Sequence, residues 1–217
     1  MSQIDEALIT INNLDFHYDD DDRVFSSLTL SIPKGAYYIL SGPNGIGKST
    51  LLKLIAGIVK PEKGTVRVSA PRISYLSQLD ADKRSSFALN VREIISLGIK
   101  NRPFAFMKKV DWQKVDDWLA VFKLTDLKDR RLDELSGGQQ QKARLAKCLI
   151  AQPDLLLLDE PDTGIDEASR EDIRHILAHL NKEHGMTIIV VSHHIEEYGE
   201  PCKKMLLSSS DLMEVSE

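Results

Sequence analysis

One glycine-rich segment constrains the fold of this chain more than any other feature of its sequence. Gly42-Pro43-Asn44-Gly45-Ile46-Gly47-Lys48-Ser49 fits the pattern G-x-x-x-x-G-K-[ST] at every position, and Thr50 follows it. A short apolar run, Ala36–Leu40, precedes the segment, and a helical pattern over Thr50–Ile58 follows it. This is the strand, loop and helix order of a P-loop. The chain is therefore predicted to bind the phosphates of a nucleotide.

The residue types in this loop match the chemistry of a phosphate site. Glycines let consecutive backbone N–H groups face the phosphates, and the helix N-terminus adds its positive dipole end. Lys48 supplies a mobile full charge to the β and γ oxygens, and the Ser49 hydroxyl is placed to ligate Mg²⁺. Kinases, GTPases and many ATPases share the motif. Alone it indicates a nucleotide and nothing more specific.

Two adjacent acids follow an apolar run later in the chain. Leu155–Leu158 is predicted to be a buried strand, and Asp159 and Glu160 come directly after it. In open α/β sheets, ligands bind at the carboxyl ends of the strands. Adjacent strand residues point to opposite faces, so the two acids cannot share one role. Asp159 is assigned to Mg²⁺, and Glu160 is assigned as the general base that polarises an attacking water.

Strands and helices alternate on both sides of a helical middle section. Asn90 with Glu93, and Ser136 with Gln139, form capping-box patterns, and Asp111 is predicted to cap a further helix. Residues 1–78 and 152–217 are predicted to form one nucleotide-binding core, and residues 79–151 an inserted helical subdomain. The predicted class is α/β: a P-loop NTPase core with a mainly parallel sheet, an N-terminal antiparallel β subdomain and the helical insertion.

The net charge and the hydropathy of the chain limit the classes of partner and the cellular location that we expect. The 217 residues carry a net charge of -5, which provides no electrostatic reason to bind nucleic acid. No apolar stretch approaches the ~20 residues of a spanning helix, and the N-terminus has no secretory pattern. Cys148 and Cys202 have no motif spacing. We expect residence in the cytosol.

Further motifs, in a consistent order, make the chain resemble the ABC (ATP-binding cassette) ATPases. Leu135-Ser136-Gly137-Gly138-Gln139 is similar to the signature sequence of that family, and Gln78 stands at a strand end like its Q-loop glutamine. Ile165-Asp166 resembles the D-loop, His193 after an apolar strand resembles the switch histidine, and Tyr18 matches the aromatic residue that stacks on adenine. The departures are mild. Asp162 stands where the family often has Thr or Ser, and His194 where it often has Asp.

The resemblance implies roles for these residues. The cofactors would be ATP and Mg²⁺, with Gln78 joining Ser49 and Asp159 at the metal and His193 touching the γ-phosphate. Residues Ser136 to Gln139 of one cassette would close on the ATP of a second, so the site would be shared in a dimer, and Asp166 would lie near that interface.

The resemblance also implies partners. The expected function is the energy subunit of a transporter, bound to polytopic membrane subunits on the inner face of the cell membrane and served by an extracytoplasmic solute-binding protein. Residues 90–98 and 135–141 look similar to zinc- and manganese-uptake ATPases. The alternative left open by the sequence is an ABC-type ATPase that acts in translation or DNA maintenance and is not coupled to transport.

Overall fold

A computed structural model describes residues 7–18, 23–77, 89–99 and 107–215. The strands are β1 (Ala7–His17), β2 (Arg23–Pro33), β3 (Tyr37–Ser41), β4 (Lys63–Val68), β5 (Ile73–Leu76), β6 (Leu155–Asp159), β7 (Thr187–Val191), β8 (Lys203–Leu207) and β9 (Leu212–Glu214). The α-helices are α1 (Lys48–Ile55), α2 (Val91–Ser96), α3 (Lys109–Val121), α4 (Gly137–Leu149) and α5 (Glu167–His184). Short 3₁₀ turns span Thr125–Leu127, Leu132–Glu134 and Ile195–Glu197.

The strands form two sheets. A six-stranded sheet has the order β5-β6-β7-β3-β8-β9 and is parallel except for the β8–β9 pair. A three-stranded antiparallel sheet has the order β2-β1-β4. The predicted α/β class, with a mainly parallel sheet and an antiparallel N-terminal sheet, is confirmed.

The central strands β6 and β7 are buried on both faces, and their side chains alternate between two apolar cores. In β6, Leu156 and Leu158 pack in the core that contains α2 to α5, whereas Leu155 and Leu157 pack in the core shared with α1 and the antiparallel sheet. The alternation follows from the period of two along a strand. It explains why β6 is apolar throughout rather than alternately polar.

The helical middle section lies between β5 and β6. The described residues there form α2, α3, α4 and two of the 3₁₀ turns, and α4 packs on both α2 and α3. The limits of this section at 79 and 151 stay predictions.

The helix caps agree with the sequence at two of three places. Glu93 N donates to Asn90 Oδ1 at 2.9 Å, and Ser136 caps α4 by accepting from Gln139 N at 3.3 Å. The prediction that Asp111 is an N-cap is wrong. The N-cap of α3 is Lys108, whose backbone N–H donates to the Asp111 carboxylate at 2.9 Å. An acid in the first turn can reach back to the cap, so an acid near a helix start does not by itself locate the cap.

The start of α1 also differs from the sequence expectation. The helix spans Lys48–Ile55 rather than Thr50–Ile58, because Gly47 caps it and Gly57, at φ 71°, follows its end. In the described part of the chain, no helix combines the length and the apolar character that crossing a membrane requires.

We expect Leu156→Ala to lower the free energy of unfolding by about 2–5 kcal/mol, since Leu156 is fully buried and the cavity cannot collapse between strands and helices. Urea unfolding measures the change. Val121→Ala at the end of α3, where the side chain is 49% exposed, is the control and should cost less than about 0.5 kcal/mol. Equal losses in the two variants would contradict the assigned core.

Candidate functional site

The glycine-rich loop joins β3 to α1. Gly47 sits at φ 105°, and a Cβ there would lie 2.4 Å from Val24 Cγ1 and 2.8 Å from Phe25 Cζ. Only glycine therefore fits between this turn and strand β2. The loop is pressed against the antiparallel sheet, which places β2 beside the start of α1.

Lys48 is held over the loop that it follows. Its ammonium donates to the carbonyl oxygens of Gly42 at 2.8 Å and Pro43 at 3.1 Å, and the side chain is buried. The full positive charge is thus already placed at the mouth of the backbone cradle. A phosphate oxygen in the cradle would be a stronger acceptor than these neutral carbonyls.

A cleft of about 620 Å³ opens beside the loop. Most of its lining comes from the predicted site: Tyr18, Asn44, Gly45, Gly47, Lys48, Ser49, Thr50 and Glu160. Arg23 and Val24, from the start of β2, complete it. Sequence reasoning missed these two residues, and no local motif marks them.

Tyr18 is placed to offer a ring face to a ligand. The side chain is 50% exposed, its hydroxyl lies 3.1 Å from Thr50 Oγ1, and its ring stands edge-on to Phe16 at 5.0 Å. These contacts fix the hydroxyl and one edge of the Tyr18 ring. A nucleotide base in the cleft would stack on the exposed part of the ring.

Asp159 and Ser49 meet where β6 ends beside α1. Ser49 Oγ donates to Asp159 Oδ1 at 2.8 Å, and Tyr75 OH donates to Asp159 Oδ2 at 3.2 Å. Burial raises the pKa of the Asp159 carboxyl, although both hydrogen bonds oppose the shift.

These two oxygens fit Mg²⁺. The ion prefers hard oxygen ligands, and binds through one or two protein groups with substrate phosphates and water supplying the rest. A cation beside Asp159 would also favour its charged form, which burial disfavours. Among the described residues, no group of three or more His, Cys, Asp or Glu forms a cage of its own.

Glu160 faces the cleft from the end of β6, and His193 faces Glu160. The imidazole Nε2 of His193 lies 3.3 Å from Glu160 Oε1, and Thr163 Oγ1 donates to Glu160 Oε2 at 3.1 Å. Glu160 has φ 52°, in the left-handed region that is costly for a residue with a side chain. This backbone turn comes directly after the strand, so the chain changes direction between the two acids.

The predicted signature residues 136–139 and Asp166 do not line this cleft. Ser136 caps α4, and Asp166 caps α5 by accepting from Ser169 N at 2.9 Å. A Cβ on Gly138 would lie 2.7 Å from Asp166 Oδ2, so the start of α4 and the start of α5 are packed together. Ser136, Gly137, Gly138, Gln139 and Asp166 thus form a separate surface. Gln78 lies outside the described residues.

Comparisons with known proteins agree with this geometry. The family model described as ABC transporter matches residues 25–163, more than half of the chain. The zinc uptake system ATP-binding protein ZurA of Listeria monocytogenes is 33% identical over 199 residues, which cover 87% of this chain and 77% of ZurA. The high-affinity zinc uptake system ATP-binding protein ZnuC of Bacillus subtilis is 33% identical over 208 residues, covering 92% of this chain and 90% of ZnuC.

A solved structure has a similar fold over nearly the whole chain. A chain of a metal-chelate type ABC transporter in an inward-facing conformation superposes with a TM-score of 0.83 at 29% identity, covering 97% of this chain and 83% of that one.

Lys48→Ala should weaken ATP binding by about tenfold or more, because the cradle loses its full positive charge. Titration with a fluorescent ATP analogue measures the affinity. Lys60→Ala, which removes an exposed lysine beyond the end of the same helix, is the control and should bind normally. Unchanged affinity in the Lys48 variant would refute the assignment.

Proposed function

The chain belongs to the ABC transporter family of ATP-binding proteins, and we propose that it is the ATP-hydrolysing energy subunit of a metal-ion uptake transporter. One observation supports ATP hydrolysis as the activity. Ser49 Oγ of the P-loop lies 2.8 Å from Asp159 Oδ1, and Glu160, the next residue in the chain, lines the same cleft as Ser49. The similar proteins are subunits of uptake systems. This favours transport over the alternative of an ABC-type ATPase in translation or DNA maintenance.

The residues divide the work of hydrolysis. Tyr18 stacks on the base, while the backbone of residues 42–47 and Lys48 bind the phosphates. Ser49 and Asp159 hold Mg²⁺, with Gln78 as a further proposed ligand, and the ion when bound neutralises charge on the phosphate oxygens. Glu160 accepts a proton from the attacking water. His193, in contact with Glu160, orients that carboxylate and reaches toward the γ-phosphate.

The second phosphate-binding surface supports a dimer. Ser136 and Gly137 are exposed at the start of α4, where the first N–H groups have no acceptor within the helix, yet none of residues 136–139 lines the cleft of the same chain. We propose that this surface closes on the ATP of a second cassette. Asp166, packed beside Gly138, would then lie at the joint between the two copies.

The partners in the membrane follow from the proposed role. A cassette moves a solute only when its closure is coupled to separate membrane subunits. We propose docking on polytopic subunits at the inner face of the membrane, with an extracytoplasmic solute-binding protein in the same system. The cargo itself does not reach this chain, so the zinc or manganese assignment is supported by the similar proteins and not by any residue of the site.

In the presence of MgATP, Glu160→Gln should bind ATP, lose about 10²- to 10⁴-fold in turnover and accumulate as a dimer. Adding Ser136→Arg should abolish that dimer, because the long side chain would meet the facing phosphate. Light scattering after size-exclusion chromatography measures the mass. Glu160→Gln with Arg131→Ala, which alters an exposed arginine before the same segment, is the control and should still dimerise.

A dimer that persists after the Ser136→Arg change would contradict the shared site. Turnover above a tenth of the wild-type rate in Glu160→Gln would contradict the general base.

Deletion of the gene should impair growth in zinc- or manganese-depleted medium, with rescue by the depleted metal. Complementation with the Glu160→Gln variant should fail, since transport requires hydrolysis. Cellular metal content by mass spectrometry measures the defect. Normal growth and metal content under both depletions would remove the metal cargo and leave the ATPase assignment intact.

A further inference from the structure

A buried carboxylate behind the catalytic pair is left unused by the proposed mechanism. Asp162 is 1% exposed, and its Oδ2 accepts from the hydroxyls of Ser192 and Tyr198, the latter at 3.3 Å. Asp162 comes two residues after Glu160, and Ser192 comes directly before His193. The contact therefore joins the two loops that carry the catalytic groups.

The contact continues to the far side of His193. Ser192 Oγ, which donates to Asp162, also accepts from the backbone N–H of His194 at 2.9 Å. One hydroxyl thus fixes the backbone both before and after the histidine. The His193 side chain is 52% exposed, so few packing contacts hold its ring in position. The position of the His193 ring therefore depends on the backbone of the residues around it.

A second tie fixes the other partner. Glu160 N donates to Val191 O at 2.9 Å, which binds the acid to the end of β7. Together with the Asp162–Ser192 contact, this closes a small ring of bonds around the 3.3 Å Glu160–His193 contact. A charged acceptor makes a shorter and stronger hydrogen bond than a neutral one, so a carboxylate at Asp162 is well suited to hold the ring rigid.

The electrostatic surroundings agree with this role. Among the described residues, the second oxygen of Asp162, Oδ1, has no hydrogen-bond partner. Arg170 forms ion pairs with Glu167 and Glu197; Glu167 raises the pKa of its guanidinium most and Asp162 least, and the guanidinium lies 3.3 Å from Nε2 of the His194 ring. Both hydrogen bonds of the buried Asp162 side chain come from residues that follow β7: Ser192, directly before His193, and Tyr198, after the 3₁₀ turn. Asp162 does not reach the cleft.

We infer that Asp162 is a positioning residue for ATP hydrolysis: through Ser192 it sets the distance and orientation of His193 relative to Glu160. The inference rests on the roles proposed above for Glu160 and His193. It predicts a loss of turnover with little loss of substrate binding, because the cleft that binds ATP is lined by other residues.

The test is a double-mutant cycle on the full chain with Asp162→Asn, His193→Ala and both together. Asp162→Asn should lower kcat about tenfold, with KM for MgATP within about threefold of wild type. In the His193→Ala background the same change should lower kcat less than about twofold, because its effect passes through His193. An equal fall in both backgrounds, or a kcat within about twofold of wild type in Asp162→Asn, would overturn the inference.

A matched control separates positioning from stability. Asp111 is also a buried carboxylate, but it accepts from the backbone at the start of α3, away from the cleft. Asp111→Asn should leave kcat within about twofold of wild type even where its melting temperature falls as far as that of Asp162→Asn. An equal loss of kcat in the two variants would show a structural role and overturn the inference.

The folding of the variants and the effect of His193→Ala on kcat separate three further outcomes. If Asp162→Asn does not fold, Ser192→Ala takes its place in the cycle and removes the same link from its other end; if neither variant folds, the contact is structural and the inference fails. If His193→Ala leaves kcat unchanged, the proposed role of His193 is wrong and the inference falls with it. If His193→Ala lowers kcat but the cycle shows no coupling, only the inference falls.

Discussion

Parallel pairing of β6, β7 and β3 is the constraint on which the functional features of this chain depend. In the register of the sheet Asp159 lies beside Val191, and Leu40 lies beside the same residue from the other side. The carboxyl ends of the three strands therefore lie side by side at the same edge of the sheet. The glycine-rich loop follows β3, Asp159 and Glu160 lie at the end of β6, and His193 follows β7. None of these segments would meet in a sheet of another order.

Burial of β6 and β7 on both faces fixes their register. The side chains of β6 and β7 alternate between two apolar cores, so a slip of one residue in either strand would exchange the two sets. Such a slip would also turn Asp159 away from Ser49. The stability of the cores and the placement of the catalytic acids are thus set by the same register.

The cleft beside the glycine-rich loop and the second surface, formed by residues 136–139 and Asp166, are organised differently. The cleft is built from several elements, with Gly47 pressed against Val24 and Phe25 of β2. The second surface is the start of one helix, capped by Ser136 and packed against the start of α5 through Gly138. The segment after Glu160 leads directly into α5, so one short stretch of chain connects the proposed general base to the second surface. This linkage suits a site completed by another copy of the chain.

The sequence by itself determined the features that depend on near neighbours in the chain. A P-loop, a capping box or an acid pair after an apolar run is encoded within a few residues, so the glycine-rich loop between β3 and α1, the caps at Asn90 and Ser136, and the general α/β class were all predictable. The Asp111 cap was misplaced because an acid can act from either the cap or the first turn. The registers of the sheets could not be obtained in this way, since many apolar pairings satisfy the same pattern.

Only the tertiary structure decided which distant residues meet. Arg23 and Val24 enter the cleft because the antiparallel sheet folds over the loop, and no motif marks them. Asp162 contacts Ser192, 30 positions away, because β6 and β7 are paired and their loops leave the sheet together. Such contacts arise from the pairing of strands that are remote in sequence. A local pattern holds no information about that pairing, so the fold has to form before these contacts exist.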